Sequence, residues 1–310
     1  MFTGLSAFPL TPMTDDGVDE RAFAKLIERL AVSSVDSIGA LGSTGSYAYL
    51  TREERSRVAH VAVENAGATP VIIGIGAVRT KHVLQLAEDA QDAGASGVLL
   101  APVSYQQLTP DEAFGLYADV SRNLSVPLVV YDNPGTTHFT FTDELYARIA
   151  ELPHVASVKI PGVPADPAQA TARVERLRQV LPAGFSIGVS GDALAATGLN
   201  GGCDAWYSVV GGTLPEPALA ITRAAQAGDA SGARLLSEQL QPVWDQFARH
   251  GSIRVIAAIA EILGLVARPS LPTPIRGLGD DDRVQLIALL DRLGMSEREP
   301  PAFSDTQAAN

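Results

Sequence analysis

Only three lysines, Lys25, Lys81 and Lys159, stand against twenty arginines in this chain, and one of them occupies a costly place. Lys25 and Lys81 lie in polar, helix-like surroundings, whereas Lys159 closes the apolar run Val155-Ala156-Ser157-Val158-Lys159-Ile160 before Pro161-Gly162. A strand buried on both faces disfavours the charged form of an ammonium. A lysine neutralised in this way is a nucleophile that can form a Schiff base with a carbonyl compound. The same residue is also open to a plainer reading, a strand-end lysine that reaches solvent or pairs with a carboxylate.

Other residue types able to do chemistry fall at the ends of other apolar runs. Gly42-Ser43-Thr44-Gly45-Ser46 is a small turn whose glycines let backbone N–H groups approach a carboxylate and whose hydroxyls can relay protons. Tyr131 ends Leu128–Tyr131 and is followed by Asp132-Asn133-Pro134-Gly135-Thr136-Thr137. A tyrosine there can act as a general acid or base if its hydroxyl meets a relay; otherwise it is a buried phenol bonded to backbone. Gly188-Val189-Ser190-Gly191-Asp192 could offer backbone contacts to a substrate.

These residues must be held by a scaffold, and the hydropathy pattern supplies one. Eight short apolar runs occur at 4–8, 37–41, 71–75, 97–101, 128–131, 155–160, 185–189 and 205–210. Helical patterns separate them at 19–32, 51–66, 79–93, 109–123, 142–151, 166–180, 191–200 and 215–227. Thr51 before Arg52-Glu53-Glu54 reads as a capping box, and Thr109-Pro110-Asp111-Glu112 adds proline at the first helical position. Asp92-Ala93-Gly94 suits a left-handed helix end. Continuous apolar strands, each followed by a helix, imply a parallel sheet covered on both faces. Eight such units predict an α/β fold, a (β/α)8 TIM barrel over residues 1–228, whose active site lies at the C-terminal ends of the strands. Residues 229–296 read as a C-terminal extension of three helices at 229–249, 253–264 and 280–294, and residues 297–310 as a polar tail.

Composition narrows the classes. Apolar residues make up 46% and charged residues 19%, the proportions of a soluble globular protein with a large core. A formal charge of −12 argues against nucleic acid and anionic membranes as partners. No apolar run approaches the roughly 20 residues of a membrane helix. The single cysteine, Cys203, excludes an internal disulfide framework and makes a reducing cytoplasm the default; after Gly201-Gly202 it reads as a small buried residue. Five histidines without paired ligand spacing imply no metal. Gly74-Ile75-Gly76 lacks the third glycine of a dinucleotide turn, so no cofactor is expected.

Taken in order, Phe2-Thr3-Gly4, Phe8-Pro9-Leu10-Thr11-Pro12, Gly42-Ser43-Thr44-Gly45, Tyr131-Asp132-Asn133-Pro134, Ser157-Val158-Lys159 and Ser190-Gly191-Asp192 resemble one family. It is that of the pyruvate-dependent class I aldolases typified by dihydrodipicolinate synthase and N-acetylneuraminate lyase. The resemblance implies that Lys159 forms the Schiff base with a 2-oxo acid and that Tyr131 shuttles protons. It implies further that Thr44 links Tyr131 into a hydroxyl relay, while Ser43 and the N–H groups of Thr44 and Gly45 hold the carboxylate. Homotetramers built as dimers of dimers are usual in the family, with a tyrosine of one subunit entering the relay of its neighbour. Tyr105 is the favoured residue for that part here, with Ser104 beside it. Tyr207 is a further candidate for substrate contact at the barrel mouth, against core packing.

The chain also departs from the family pattern. Dihydrodipicolinate synthase has an arginine five residues after the strand-five tyrosine, which binds the carboxylate of its aldehyde substrate, and here that position is Thr136. A threonine cannot supply a planar bidentate cation. Arg79 and His138 are the candidates to replace it, and Ser46 stands where many relatives have glutamate. The expected activity is therefore retro-aldol cleavage of a 4-hydroxy-2-oxo acid or deoxy sugar acid, with pyruvate as the small partner. Dehydration of a deoxy-2-oxo sugar acid, dihydrodipicolinate synthase activity and non-catalytic binding of a 2-oxo acid are the alternatives.

Overall fold

The computed structural model describes residues 1–14 and 16–296. Eight parallel strands close into a barrel: β1 Gly4–Ala7, β2 Ser37–Ala40, β3 Val71–Gly74, β4 Gly97–Leu100, β5 Leu128–Tyr131, β6 Val155–Ile160, β7 Ser186–Val189 and β8 Ala205–Ser208. Strand β8 pairs with β1, with Gly4 opposite Ala205 and Ala7 opposite Ser208, which removes every sheet edge. Helices follow the strands as the apolar periodicity predicts, among them Glu20–Val32, Arg52–Asn65, Thr80–Asp92 and Pro110–Ser121. Both expected capping boxes form: Thr51 and Thr109 accept from the N–H groups of Glu54 and Glu112, whose carboxylates reach back to the cap backbone. Gly94 takes the left-handed conformation expected of a helix end.

The strands are buried on both faces and mostly apolar because the barrel has two cores. Ile72, Leu99, Val129, Tyr131, Ala205 and Tyr207 point into the barrel, where they pack around Phe8. Their strand neighbours Ile73, Val98, Leu100, Val130 and Trp206 face outward into the layer beneath the helices. Successive residues of a strand alternate between faces, so each strand serves both cores. Gly39 of β2 and Gly188 of β7 make room for this filling: a Cβ at Gly39 would meet the Phe8 ring at 2.3 Å, and one at Gly188 the Tyr207 ring at 2.2 Å.

Two helical expectations are corrected. Residues 229–249 are not one helix but two, Ala230–Gln239 and Gln241–His250, so with Ser252–Ile262 and Asp280–Arg292 the described extension has four helices rather than three. Pro242 is the cause, since it has no N–H for a continuing helix and its ring clashes with the carbonyl four residues back. Residues 191–200 likewise divide into a 3-10 turn, Asp192–Leu194, and a short helix, Ala195–Asn200. A hairpin pairing Met13–Thr14 with Gly17–Val18 follows β1. The extension shares the outer core with the barrel through Ala233, Val243, Trp244 and Ile256. The polar tail expected from Glu297 onward lies outside the described residues. Among the described residues, no helix is long and apolar enough to cross a membrane.

Candidate active site

Lys159 and Tyr131 are direct register partners on β6 and β5, and Gly188 of β7 flanks Lys159 on its other side. The lysine is 4% exposed and forms no ion pair among the described residues. Its Nζ lies instead over aromatic faces, 4.0 Å from the centroid of Phe8 and 4.1 Å from that of Tyr131. Ring faces attract a cation, but far less than water or a carboxylate does. Burial therefore lowers the Lys159 pKa to about 7, with the Asp192 carboxylate pulling weakly the other way. A large fraction of such an amine is neutral, and nucleophilic, at neutral pH.

Tyr131 is buried, and desolvation pushes its phenol up to about 12, eased by a hydrogen bond with Ser43. Its hydroxyl lies 3.4 Å from Ser43 Oγ and accepts from Asn133 Nδ2 at 3.0 Å. The same amide donates to Thr136 Oγ1 at 3.0 Å and lies 3.3 Å from Ser43 Oγ. A neutral polar cluster of Ser43, Tyr131, Asn133 and Thr136 thus sits at the strand ends beside a buried amine. It can hold and pass protons next to a nucleophile, the combination that carbonyl chemistry through an imine demands.

Two buried carboxylates brace the site. Asp192 accepts from Trp206 Nε1 at 3.0 Å and from the N–H groups of Val209 and Val210 at 3.1 and 2.6 Å, tying the turn after β7 to the end of β8. Asp132 accepts from the Tyr146 hydroxyl, and burial raises its carboxyl to about 6 against that bond and the pull of Arg173. A separate cavity of about 610 Å³ lies between the hairpin and the proline-rich stretch around Arg268 and Leu271. None of the cluster residues lines it.

A profile described as the Dihydrodipicolinate synthetase family matches residues 1–293. The chain belongs to that family. A 4-hydroxy-tetrahydrodipicolinate synthase of Salinibacter ruber is 31% identical over 250 residues, covering 78% of this chain and 79% of that one. An uncharacterised DapA-like lyase of Halobacterium salinarum is 30% identical over 284 residues, 91% and 90% of the two chains. The crystal structure of a dihydrodipicolinate synthase from Agrobacterium tumefaciens is 47% identical, with a TM-score of 0.91 over 94% of this chain and 98% of that one. Membership of the dihydrodipicolinate synthetase family makes the protein an enzyme of the lyase class.

Within this family member, the expected site residues are distributed unevenly. Lys159, Tyr131 and Ser43 come together, but the hydroxyl against Tyr131 is that of Ser43 and not of Thr44, as the resemblance had implied. The chain enters the turn through Leu41 in the left-handed conformation. Thr44 and Gly45 are buried in the same turn, with Gly45 packed against the Leu41 backbone. Ser46 is buried and left-handed at the start of the following 3-10 turn. Tyr207 is 1% exposed, packs edge-on against Phe8, bonds Ser157 Oγ at 2.8 Å and has its ring centre 5.8 Å from Lys159 Nζ. Tyr105 projects from the loop after β4 and is 92% exposed, with Ser104 half-buried beside it. Arg79 and His138 are both exposed, the first preceding helix Thr80–Asp92 and the second ending the short helix Pro134–Thr137. Cys203 is buried, and burial pushes its thiol up to about 12, which leaves it inert. Three residues escaped the sequence reading: Phe8, which floors the lysine, Asn133, which joins the polar cluster, and Asp192 as an anchor.

Proposed function

We propose that this protein is a Schiff-base lyase that cleaves a 4-hydroxy-2-oxo acid or a deoxy sugar acid and releases pyruvate. The observation that carries the reading is the buried Lys159 amine, without an ion-pair partner among the described residues and 4.1 Å from the centre of the Tyr131 ring. Neutral Nζ attacks the C2 carbonyl to give a carbinolamine. Tyr131 delivers a proton to the departing hydroxyl, so that water leaves and a protonated iminium remains. Removal of the C4 hydroxyl proton breaks the C3–C4 bond; its electron pair flows into the iminium, leaving an enamine and a free aldehyde. Protonation at C3 and addition of water return pyruvate and the amine. The iminium is the electron sink, so the lysine does the work of a cofactor.

Thr136 favours cleavage over condensation with an acidic aldehyde, because the cluster at the strand-five turn offers hydroxyls and an amide but no cation. Such groups suit the hydroxyls of a sugar-derived chain. Dehydration of a deoxy-2-oxo sugar acid shares the lysine and the enamine and differs only in the bond broken, so product analysis separates the two. We further propose a homotetramer in which the exposed Tyr105 reaches the site of a neighbouring subunit. Tyr105→Phe then lowers turnover while imine trapping persists, and unchanged turnover removes Tyr105 from the reaction.

The first experiment is intact-mass spectrometry after incubation with pyruvate and sodium borohydride, with Lys159→Ala alongside. A pyruvyl adduct present in the wild type and absent from the variant is the expected result. No adduct with pyruvate or with any of a panel of 2-oxo acids would overturn the reading in favour of non-catalytic binding.

A further inference from the structure

Asn133 sits where asparagine ordinarily caps a helix, immediately before Pro134 at the first position of Pro134–Thr137, yet its side chain makes no capping bond. The amide turns instead toward the barrel mouth, where Tyr131 Oη and Thr136 Oγ1 each lie 3.0 Å from Nδ2 and Ser43 Oγ lies at 3.3 Å. An amide nitrogen has two hydrogens and no acceptor, so the two nearer oxygens take them. Tyr131 Oη then receives a hydrogen from Asn133, and its own proton is aimed away, toward Ser43 or a bound substrate. Thr136 holds the amide's second hydrogen and so fixes the orientation of the first.

We propose that Asn133 is a positioning residue for proton transfer: its Nδ2–H donates to Tyr131 Oη and thereby aims the phenolic proton at the reacting carbon skeleton, with Thr136 as its anchor. The inference rests on the Schiff-base reading above. Asn133 carries no proton itself, since an amide neither gains nor loses one near neutral pH. A bond donated to the phenol oxygen favours the phenolate, which offsets part of the cost of burying it. The Asn133 bond is shorter than the contact to Ser43, so it is the stronger constraint on Tyr131 inside a single subunit.

The test separates the extent of imine formation at equilibrium, which requires the Lys159 amine, from the rate of proton transfer, in which Tyr131 acts. Full-length wild type, Asn133→Asp, Asn133→Ala and Thr136→Val are incubated with pyruvate, and two readouts are taken. Borohydride trapping reports the imine, and loss of the pyruvate methyl proton signal in D2O reports enamine formation. Asparagine and aspartate are nearly isosteric, but the carboxylate has no N–H, so a role in packing alone would leave Asn133→Asp close to wild type. We expect both Asn133 variants to trap the imine as fully as wild type and to exchange methyl protons about tenfold more slowly or worse, the scale of one lost hydrogen bond to an ionising group. Thr136→Val should slow exchange in the same direction by a smaller factor. Exchange at the wild-type rate in both Asn133 variants overturns the proposal. Loss of trapping together with exchange also overturns it, because Asn133 would then be scaffold. Absence of trapping in the wild type would instead sink the Schiff-base reading, and the role of Asn133 with it.

Discussion

The two ends of this barrel treat charged side chains in opposite ways. At the N-terminal end, Asp36 accepts from the N–H of Leu5 at 2.7 Å and pairs with Arg223 at 2.8 Å. Asp204 does the same two strands away, accepting from Ile187 N at 2.7 Å and pairing with Arg178. All four side chains keep contact with water, between 29% and 45% exposed. At the C-terminal end, Lys159 is buried without a carboxylate partner, Asp132 has an oxygen with no partner, and Arg55 is buried with its Nε unbonded. The bottom places its charges at strand starts that need acceptors, whereas the top, beside the fully bonded Asp192, holds a lysine without a carboxylate partner and two charged groups with one atom each unbonded. A satisfied ion pair stabilises; an unsatisfied buried group is reactive, and perturbed groups gather where reaction is required. The division matches the roles of the two faces in barrels of this type.

The largest effect that would break this comparison is replacement of Lys159. Lys159→Met should abolish imine trapping and lower turnover by about 10³-fold or more, as loss of a covalent nucleophile does. The same variant should be more stable than wild type, because a desolvated amine gives way to an apolar chain. Burial holds the Lys159 pKa at about 7 in the folded state, below its ordinary value near 10.5 in the unfolded chain. Between those values the unfolded chain binds more protons, so wild-type stability rises with pH from about 7 to about 10. Its cost is fully present below that window and amounts to a few kcal/mol, on the order set by the shift. Urea unfolding across this range should show the slope in wild type and lose it in Lys159→Met; a slope shared by both would place the titration elsewhere. Imine formation in wild type should likewise rise through pH 7 and then level off, since only the neutral amine attacks.

Next in size is Tyr131→Phe, which keeps the ring beneath Lys159 and removes the hydroxyl. Turnover should fall by roughly 10²- to 10⁴-fold, the range of a lost general acid or base, with little change in melting temperature. A matching fall in stability would mean that the hydroxyl holds the fold rather than moves protons.

Much of this architecture was legible in the sequence, for a definite reason. Strands buried on both faces must be mostly apolar, so the eight runs stand out, and a lysine in one of them draws notice even though a strand-end lysine can also reach solvent. Tyr131 was legible because it ends a strand. What stayed hidden depended on side-chain direction. Ser43 and Thr44 are adjacent hydroxyls, and their order in the sequence does not say which of them faces Tyr131. Asn133 before a proline carries the signature of a helix cap, and nothing in its type says that it bonds a phenol instead. Phe8 belongs to the loop after β1, and its place under Lys159 depends on the room left by Gly39 on the neighbouring strand β2, which local sequence does not register. The break before Pro242 was the one error visible in advance, since a proline inside a helical pattern already argues for a new helix.

The smallest expected effects sharpen the comparison from the bottom of the barrel, where one ion pair contains two unequal partners. Asp36→Ala removes the acceptor of the Leu5 N–H, and Leu5 is fully buried, so the N–H has no route to water. Its cost should be that of an orphaned buried donor, roughly 1 to 3 kcal/mol. Arg223→Ala leaves that hydrogen bond intact and exposes a carboxylate that is already partly solvated. A partly exposed pair of this kind contributes up to about 1 kcal/mol and is screened by salt. Urea unfolding at low and high ionic strength should therefore find Asp36→Ala costly in both, Arg223→Ala mildly costly in the first and nearly neutral in the second, and imine trapping unchanged in both variants. Equal costs for the two would mean that the attraction between the charges, and not the carboxylate's hold on β1, stabilises this end. Altered trapping in either variant would show that the two ends are coupled, and the division of labour between them would fail.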